Sequence, residues 1–410
     1  MATRPRLHFT ADSGWINDPL GLTWHGGAYH LFFQYRRAAT QWGADCHWGH
    51  ATSPDLFWWT EGPVALRPGD GDDGCWSGSL VVPPGRDAVL FYTSARLPDD
   101  HLGRVRRALP ADPLWEAWVK KEVLVTPPPD ADLIGFRDPF VFADGPAWRM
   151  LVGAGRVDGH ATAYAYRSDD LIEWVPTGQL VSRSREESDA TWTGGMWECV
   201  QLVEVDGAHL LVVSVWDRAD LHHVACATGR YADGHYDVES WFRLTYGPAP
   251  YAASAYRDRD GRPGLIAWLR GVADPTGSWT GAHSVPMLLS LDGDRPRLNA
   301  HPGLAARRGP AGPPAWGSGG PVELAWSPRD GEALEVMGGE ATLVAGGVAL
   351  ALTTDAGSWA MPWAGDDVVV LLDGPVLEVF CGGALMAAPI APGHTGARPA
   401  GRCEAHPLRT

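Results

Sequence analysis

Three short stretches place a carboxylate at a point of unusual backbone rigidity: Asp18 in GWINDPLG, Asp138 in FRDPF and Glu198 in MWECV. Proline after Asp18 and after Asp138 fixes its own φ and pushes the residue before it out of the helical region, so each aspartate is held on a turn or on extended backbone. Arg137 stands beside Asp138. Taken singly, these stretches read as ordinary structure: Asn-Asp-Pro is turn chemistry, Arg137 and Asp138 make a salt-bridged turn, and Glu198 is a glutamate at a strand edge. Cys199 reads as a small buried hydrophobe with no chemical step. Should the three acids share one pocket, the reading changes. Three ionised carboxylates repel one another, and at least one must keep its proton near neutrality. Two carboxyl groups with separated pKa values are what glycoside hydrolysis needs: one protonates the leaving oxygen, the other attacks or activates water.

Spacing argues that they do meet. Asp138 follows Asp18 by about 120 residues and Glu198 follows Asp138 by about 60; one such interval after Asp18 falls in CWSGSL and one after Glu198 falls near YGPAPYAA, Tyr246 to Ala253. SPDLFWW and SDDLIEW repeat a Ser-x-Asp-Leu-x-x-Trp frame at about twice that interval. Five equivalent stations within about 300 residues predict an all-β fold, a five-bladed β-propeller whose innermost strands deliver their first residues to one central funnel. Runs such as AYHLFFQY, AVLFYTSA, HLLVVSVW and GLIAWLRG, bounded by Gly, Pro or Asp, have strand length and strand composition. The Pro/Gly-rich RRGPAGPPAWGSGG marks a boundary, and the runs beyond it, joined by Asp-Gly and Gly-Gly turns, predict a small C-terminal β-sandwich. The expected division is a propeller over 1–306, a linker over 307–320 and a sandwich over 321–410.

Composition narrows the partners. The net charge of −16, from 33 basic and 49 acidic residues, disfavours nucleic acid and anionic membrane as partners and fits a neutral or cationic ligand. With no apolar run behind MATRPRLHFT, the expectation is a chain made without a signal peptide and retained in the cytoplasm. Six scattered cysteines suggest neither a zinc ribbon nor a disulfide scaffold. Strand alternation sends His47 and His50 of CHWGH to opposite faces, and DGDDG (Asp70 to Gly74) lacks the ligand spacing of a calcium loop and reads as a solvated turn, so no metal and no cofactor are expected.

In chain order, WINDPLG, HLFFQY followed by QWGADCHWGHATSPDLFWW, WSGS, FRDP, WEC, YGPAPYA and LLDGPVLEVF resemble the motifs of glycoside hydrolase family 32, the retaining β-fructofuranosidases. The resemblance covers nearly the whole chain. It implies a fructoside substrate (sucrose or a short fructan), Asp18 as nucleophile, Glu198 as general acid and then base, and Asp138 as transition-state stabiliser, with Arg137 holding geometry. It further implies that Asn17, Gln34, Trp42, Trp76 and Ser77, and with them Trp268, bind the sugar. Fructosyl transfer, hydrolysis of sucrose 6-phosphate and a non-catalytic carbohydrate-binding propeller are the alternatives. Several positions depart from the family pattern: Leu20, Val200, Thr245 and Met287, and Arg36 with Arg37, which suggest positive charge on the leaving-group side.

Overall fold

The computed structural model describes residues 4–188, 191–314 and 320–410. Strands make up nearly all of the regular structure, and among the described residues the one helical turn is a 3-10 helix at Ala305–Arg307. Among the described residues no helix is long and apolar enough to cross a membrane.

The first 300 residues fall into five consecutive groups of antiparallel strands, joined largely by tight turns. Their first strands are Gly14–His25, Gly74–Val81, Leu133–Asp144, Met196–Val205 and Pro250–Arg257. Each of these touches the next in turn, and the fifth returns to the first, where Thr23 pairs in parallel with Arg257. Trp279–His283 reinforces that closure by pairing with Gly14–His25 on one side and Pro263–Ala273 on the other. Closing the ring removes the exposed edges that its first strands would otherwise present. Their burial is near-continuous, as expected for strands covered on both faces.

All five first strands carry a register irregularity, and it lies at the same level in each: between Ile16 and Pro19, Trp76 and Gly78, Arg137 and Phe140, Glu198 and Gln201, and Tyr251 and Ser254. One extra residue is inserted on the first strand each time. A bulge of this kind bends the strand and re-aims a side chain. Asp138, Cys199 and Ala252 have φ of 65°, 49° and 48°, values that non-glycine residues seldom take. The interval of about sixty residues read from the sequence is the spacing of these bulges.

Beyond residue 320 a six-stranded sheet, in which Thr245–Tyr246 pairs in parallel with Ala384–Pro389, and a five-stranded sheet share one apolar cluster, with Leu324, Trp326 and Val370 from the first and Leu334, Leu343 and Leu352 from the second. Residues 308–314 run along this unit: Arg308 and Gly312 bridge to Leu408 and Ala405, and Ala397 N–H donates to the Pro314 carbonyl. Of the linker expected at 307–320, residues 315–319 lie outside the described residues. The N-terminal segment clasps the same unit, since the backbone N–H groups of Arg6, Leu7 and His8 all donate to buried Asp373.

One sequence expectation fails at DGDDG. Asp72 is buried, not solvated: Lys120 lies 2.8 Å and Arg106 3.1 Å away, and Tyr92 and Ser94 donate to it. A turn that must neutralise an arginine and a lysine from neighbouring strands has to bring its carboxylate inside.

Candidate active site

The bulges converge on a cavity of about 270 Å³ lined by Asn17, Asp18, Gln34, Arg137, Asp138 and Glu198, and walled by Trp15, Trp42, Trp76, Trp216 and Trp268. Five of the 21 tryptophans therefore face one small space, enough to make its wall chiefly aromatic. Trp42 is 52% exposed and forms the rim, edge-on to buried Trp76 at 5.9 Å between ring centroids. Trp15 meets Trp268 in the same edge-on manner at 5.8 Å.

Asp18 lies on the bulge of the first strand. It accepts hydrogen bonds from Ser77 and, at 3.3 Å, from Gln34, while Gln34 also donates to Ser77. Ser77, expected on the cavity wall, is instead fully buried behind Asp18 and aims it. Burial drives the Asp18 pKa up, the charge of Asp138 adds to the rise, and the Ser77 hydrogen bond only partly opposes it, leaving a value of about 8. Asp138 is raised to about 6 by burial, against the pull of Arg137. Of the two aspartates, Asp18 is the one held further toward the protonated form.

Asp138 is held by its backbone, whose N–H donates to Thr93 at 2.8 Å, and its carboxylate accepts the Cys199 N–H at 3.1 Å. The Cys199 thiol stands between Asp18 and Asp138, 3.8 and 3.9 Å from their oxygens, and burial pushes its pKa well up, so it remains a thiol. Glu198 is gripped from two sides. Arg137 donates through Nε (3.1 Å) and Nη2 (2.6 Å) to Oε1, and the Tyr251 hydroxyl donates to Oε2. Arg137 also contacts His101 Nδ1 at 3.2 Å.

Among the described residues, two polar atoms in the cavity wall lack a protein partner: Asn17 Oδ1, an acceptor, and Trp268 Nε1, a donor. Buried polar atoms left open in a pocket are the complement of a ligand's hydroxyl groups. Tyr251 and His101 were not singled out by sequence reasoning. For Tyr251 the signal existed, since YGPAPYAA is the fifth station and Tyr251 immediately precedes its bulge; for His101, on the loop between Val89–Ala95 and Arg104–Pro110 within the second group, there was none. Arg36 and Arg37 do not line the cavity. Arg36 is committed to Asp45 at 2.7 Å and to the Gln41 carbonyl at 2.6 Å, so its charge serves the loop and not a leaving group. His50, the other residue of CHWGH that invites a metal reading, is buried and stacked on His30, and among the described residues no cluster of metal-ligating side chains occurs.

Residues 8–302 match the sequence profile described as the glycosyl hydrolases family 32 N-terminal domain. The chain is 31% identical over 326 residues to a fructan 1-exohydrolase of Bromus pictus, covering 71% of this chain and 52% of that protein. It is 32% identical over 311 residues to a sucrose-6-phosphate hydrolase of Zymomonas mobilis, covering 70% of this chain and 60% of the other. It therefore spans about half to three-fifths of the length of these curated relatives. Among solved structures it resembles a Bombyx mori β-fructofuranosidase, a variant of which was solved with sucrose, at a TM-score of 0.86 and 24% identity, covering 99% of this chain and 94% of that one. It also resembles fructan 1-exohydrolase IIa of Cichorium intybus, at a TM-score of 0.83 and 20% identity, covering 100% and 98%.

Proposed function

Because the chain belongs to glycosyl hydrolase family 32, we propose that it cleaves terminal β-D-fructofuranosides with retention, through a covalent fructosyl intermediate on Asp18. The carrying observation is the convergence of Asp18, Asp138 and Glu198, three acids distant in sequence, on one cavity with room for about one sugar ring. In this reading the five strand groups are the blades of a β-propeller over 1–306 and the two C-terminal sheets are a β-sandwich over 321–410.

The chemistry follows from the residues. The tryptophan wall excludes water and faces the apolar surface of the ring, while Asn17 Oδ1 and Trp268 Nε1 meet hydroxyl groups. Asp18 attacks the anomeric carbon as Glu198 donates a proton to the departing oxygen. Glu198 then removes a proton from water, which displaces fructose from Asp18. Asp138 accepts hydrogen bonds from fructose hydroxyls and stabilises the positive charge that develops on the ring. Attack requires Asp18 as a carboxylate, and burial with the charge of Asp138 holds its pKa up at about 8. Arg137 and Tyr251, both donors to Glu198, set where that carboxyl lies relative to the leaving oxygen. The reaction as drawn uses no metal and no cofactor.

Incubation of the purified protein with sucrose, sucrose 6-phosphate, inulin and levan, with products resolved by chromatography and the anomer first released identified by NMR, tests the proposal. Release of β-fructofuranose from at least one of them is expected. Release of none across a broad pH range, or initial release of the inverted anomer, would overturn it. The sucrose 6-phosphate arm also separates the activities named for the relatives.

A further inference from the structure

A second cavity, of about 1040 Å³, opens where the fourth and fifth strand groups meet the C-terminal sheets. Its walls are fixed: Leu298 N–H donates to the Gly383 carbonyl at 2.8 Å, and Gly383 lies against Arg297 so closely that a Cβ there would fall 2.3 Å from the side chain. In a chain with 49 acidic residues, this cavity is lined by four arginines and two histidines, and among the described residues no Asp or Glu lines it. Arg243 and Arg270 have no carboxylate partner among the described residues. Arg243 donates through Nε to the Thr245 carbonyl and stacks over Tyr246, while Arg270 donates to the Leu221 and His222 carbonyls and stacks over Tyr251. Arg295 is exposed, and Arg297 alone is paired, with Asp292.

An independent observation concerns buried His223, which lines the same cavity and whose Nε2 has no partner among the described residues. Burial lowers its pKa to about 3, so the ring is neutral. An open nitrogen of a neutral imidazole can pair with a hydroxyl group. Trp192 and Trp359, both partly buried, supply flat apolar faces in the same space. Positive charge without counter-charge, an open imidazole nitrogen and aromatic faces together match a ligand that is a sugar at one end and an anion at the other.

We propose that this interdomain cleft is a binding site for a phosphorylated sugar, separate from the cavity that holds Asp18. The acidic character of the whole chain does not oppose this, because at ~0.1 M salt charges more than about 10 Å away are largely screened and the local arginines dominate. The site adjoins the first: Leu221 lines both cavities, and Arg270 covers the ring of Tyr251, which donates to Glu198.

Titration of the full-length protein with glucose 6-phosphate, glucose and inorganic phosphate, by calorimetry and tryptophan fluorescence, tests the proposal. Glucose 6-phosphate is expected to bind saturably and at least about tenfold more tightly than either glucose or phosphate, the weight of one charge-assisted contact. Arg243→Gln and Arg295→Gln should each weaken it several-fold with unchanged thermal midpoints, and saturating fructose should not displace it. Absence of saturable binding, equal affinity for glucose or for phosphate, indifference to both substitutions, or displacement by fructose would overturn the proposal. Glycosidase activity is not the readout, so the outcome does not depend on the catalytic reading.

Discussion

Asp18 is held in a condition that costs stability. Its folded-state pKa of about 8 stands far above the ordinary carboxylate value of 3.8, so the folded protein retains a proton that the unfolded chain loses. Stability from this group is complete below about pH 4 and declines as pH rises through about 8. Asp18→Asn, which removes the charge and keeps the shape, is therefore expected to raise the thermal midpoint, with the gain absent at pH 4 and growing toward pH 8, when melting is followed by calorimetry. With Asp18 as the proposed nucleophile, the same substitution should lower kcat by at least about 10⁴-fold. Tyr251 tests the other end of the reaction. Its hydroxyl donates to Glu198, and Tyr251→Phe is expected to lower kcat about 10- to 100-fold, the range of one hydrogen bond to a charged group, with little change in KM. An equal rise in KM with kcat intact would mean that Tyr251 binds substrate and does not position Glu198.

At the scale of elements, the bulge is the device that turns a strand into a site. Regular alternation would send Asp18 or Glu198 to one face of its strand in a register set by the hydrophobic pattern. One extra residue re-aims the side chain into the cavity without disturbing the ladder further along. The second strand shows how little slack this leaves. Gly78, next to Ser77, lies so near the Phe91 carbonyl that a Cβ there would fall 2.0 Å from it. Gly78→Ala is expected to destabilise by on the order of 3 kcal/mol, measured by chemical denaturation. It should also reduce activity in the surviving folded fraction, because displacement of Ser77 releases Asp18 from its hydrogen bond. Buried Asp72, which gathers Arg106 and Lys120 from two other strands of the same group, fixes that group from its opening turn.

The molecule as a whole is tied together by a short buried ion cluster. His8 Nδ1 lies 2.9 Å from Asp373 and Nε2 lies 3.2 Å from Glu378, joining the N-terminal segment to the C-terminal sheets. Burial alone would lower the His8 pKa, yet the nearby charge of Glu378 and the hydrogen bond to Asp373 carry it up to about 9. A histidine with a raised folded-state pKa contributes stability that is complete below about pH 6.5 and disappears as pH rises through about 9. His8→Gln should thus lower the thermal midpoint clearly at pH 6 and much less at pH 9.5, which melting at the two pH values will measure. An apolar core that includes Leu7, Leu244 and Leu269 together with Leu371, Phe380 and Leu385 crosses the same junction, so the two parts are expected to melt in one transition near neutrality.

What the sequence by itself determined was whatever is local or periodic. Proline after an aspartate, a station every sixty residues or so and strand-length apolar runs identified the all-β class and the acids Asp18, Asp138 and Glu198, because turn chemistry and repeat length are written in residue order. Partnership was decided only in three dimensions. Nothing near Ser77 says that it stands behind Asp18, nothing near Arg36 says that Asp45 claims its charge, and nothing near Asp72 says that it is buried. In each case the partner comes from another strand or the far side of a loop. The same holds for Tyr251 against Glu198 and for the arginine-lined cleft. Burial and counter-charge are properties of neighbours in space, and only the closed ring of strands determines which neighbours those are.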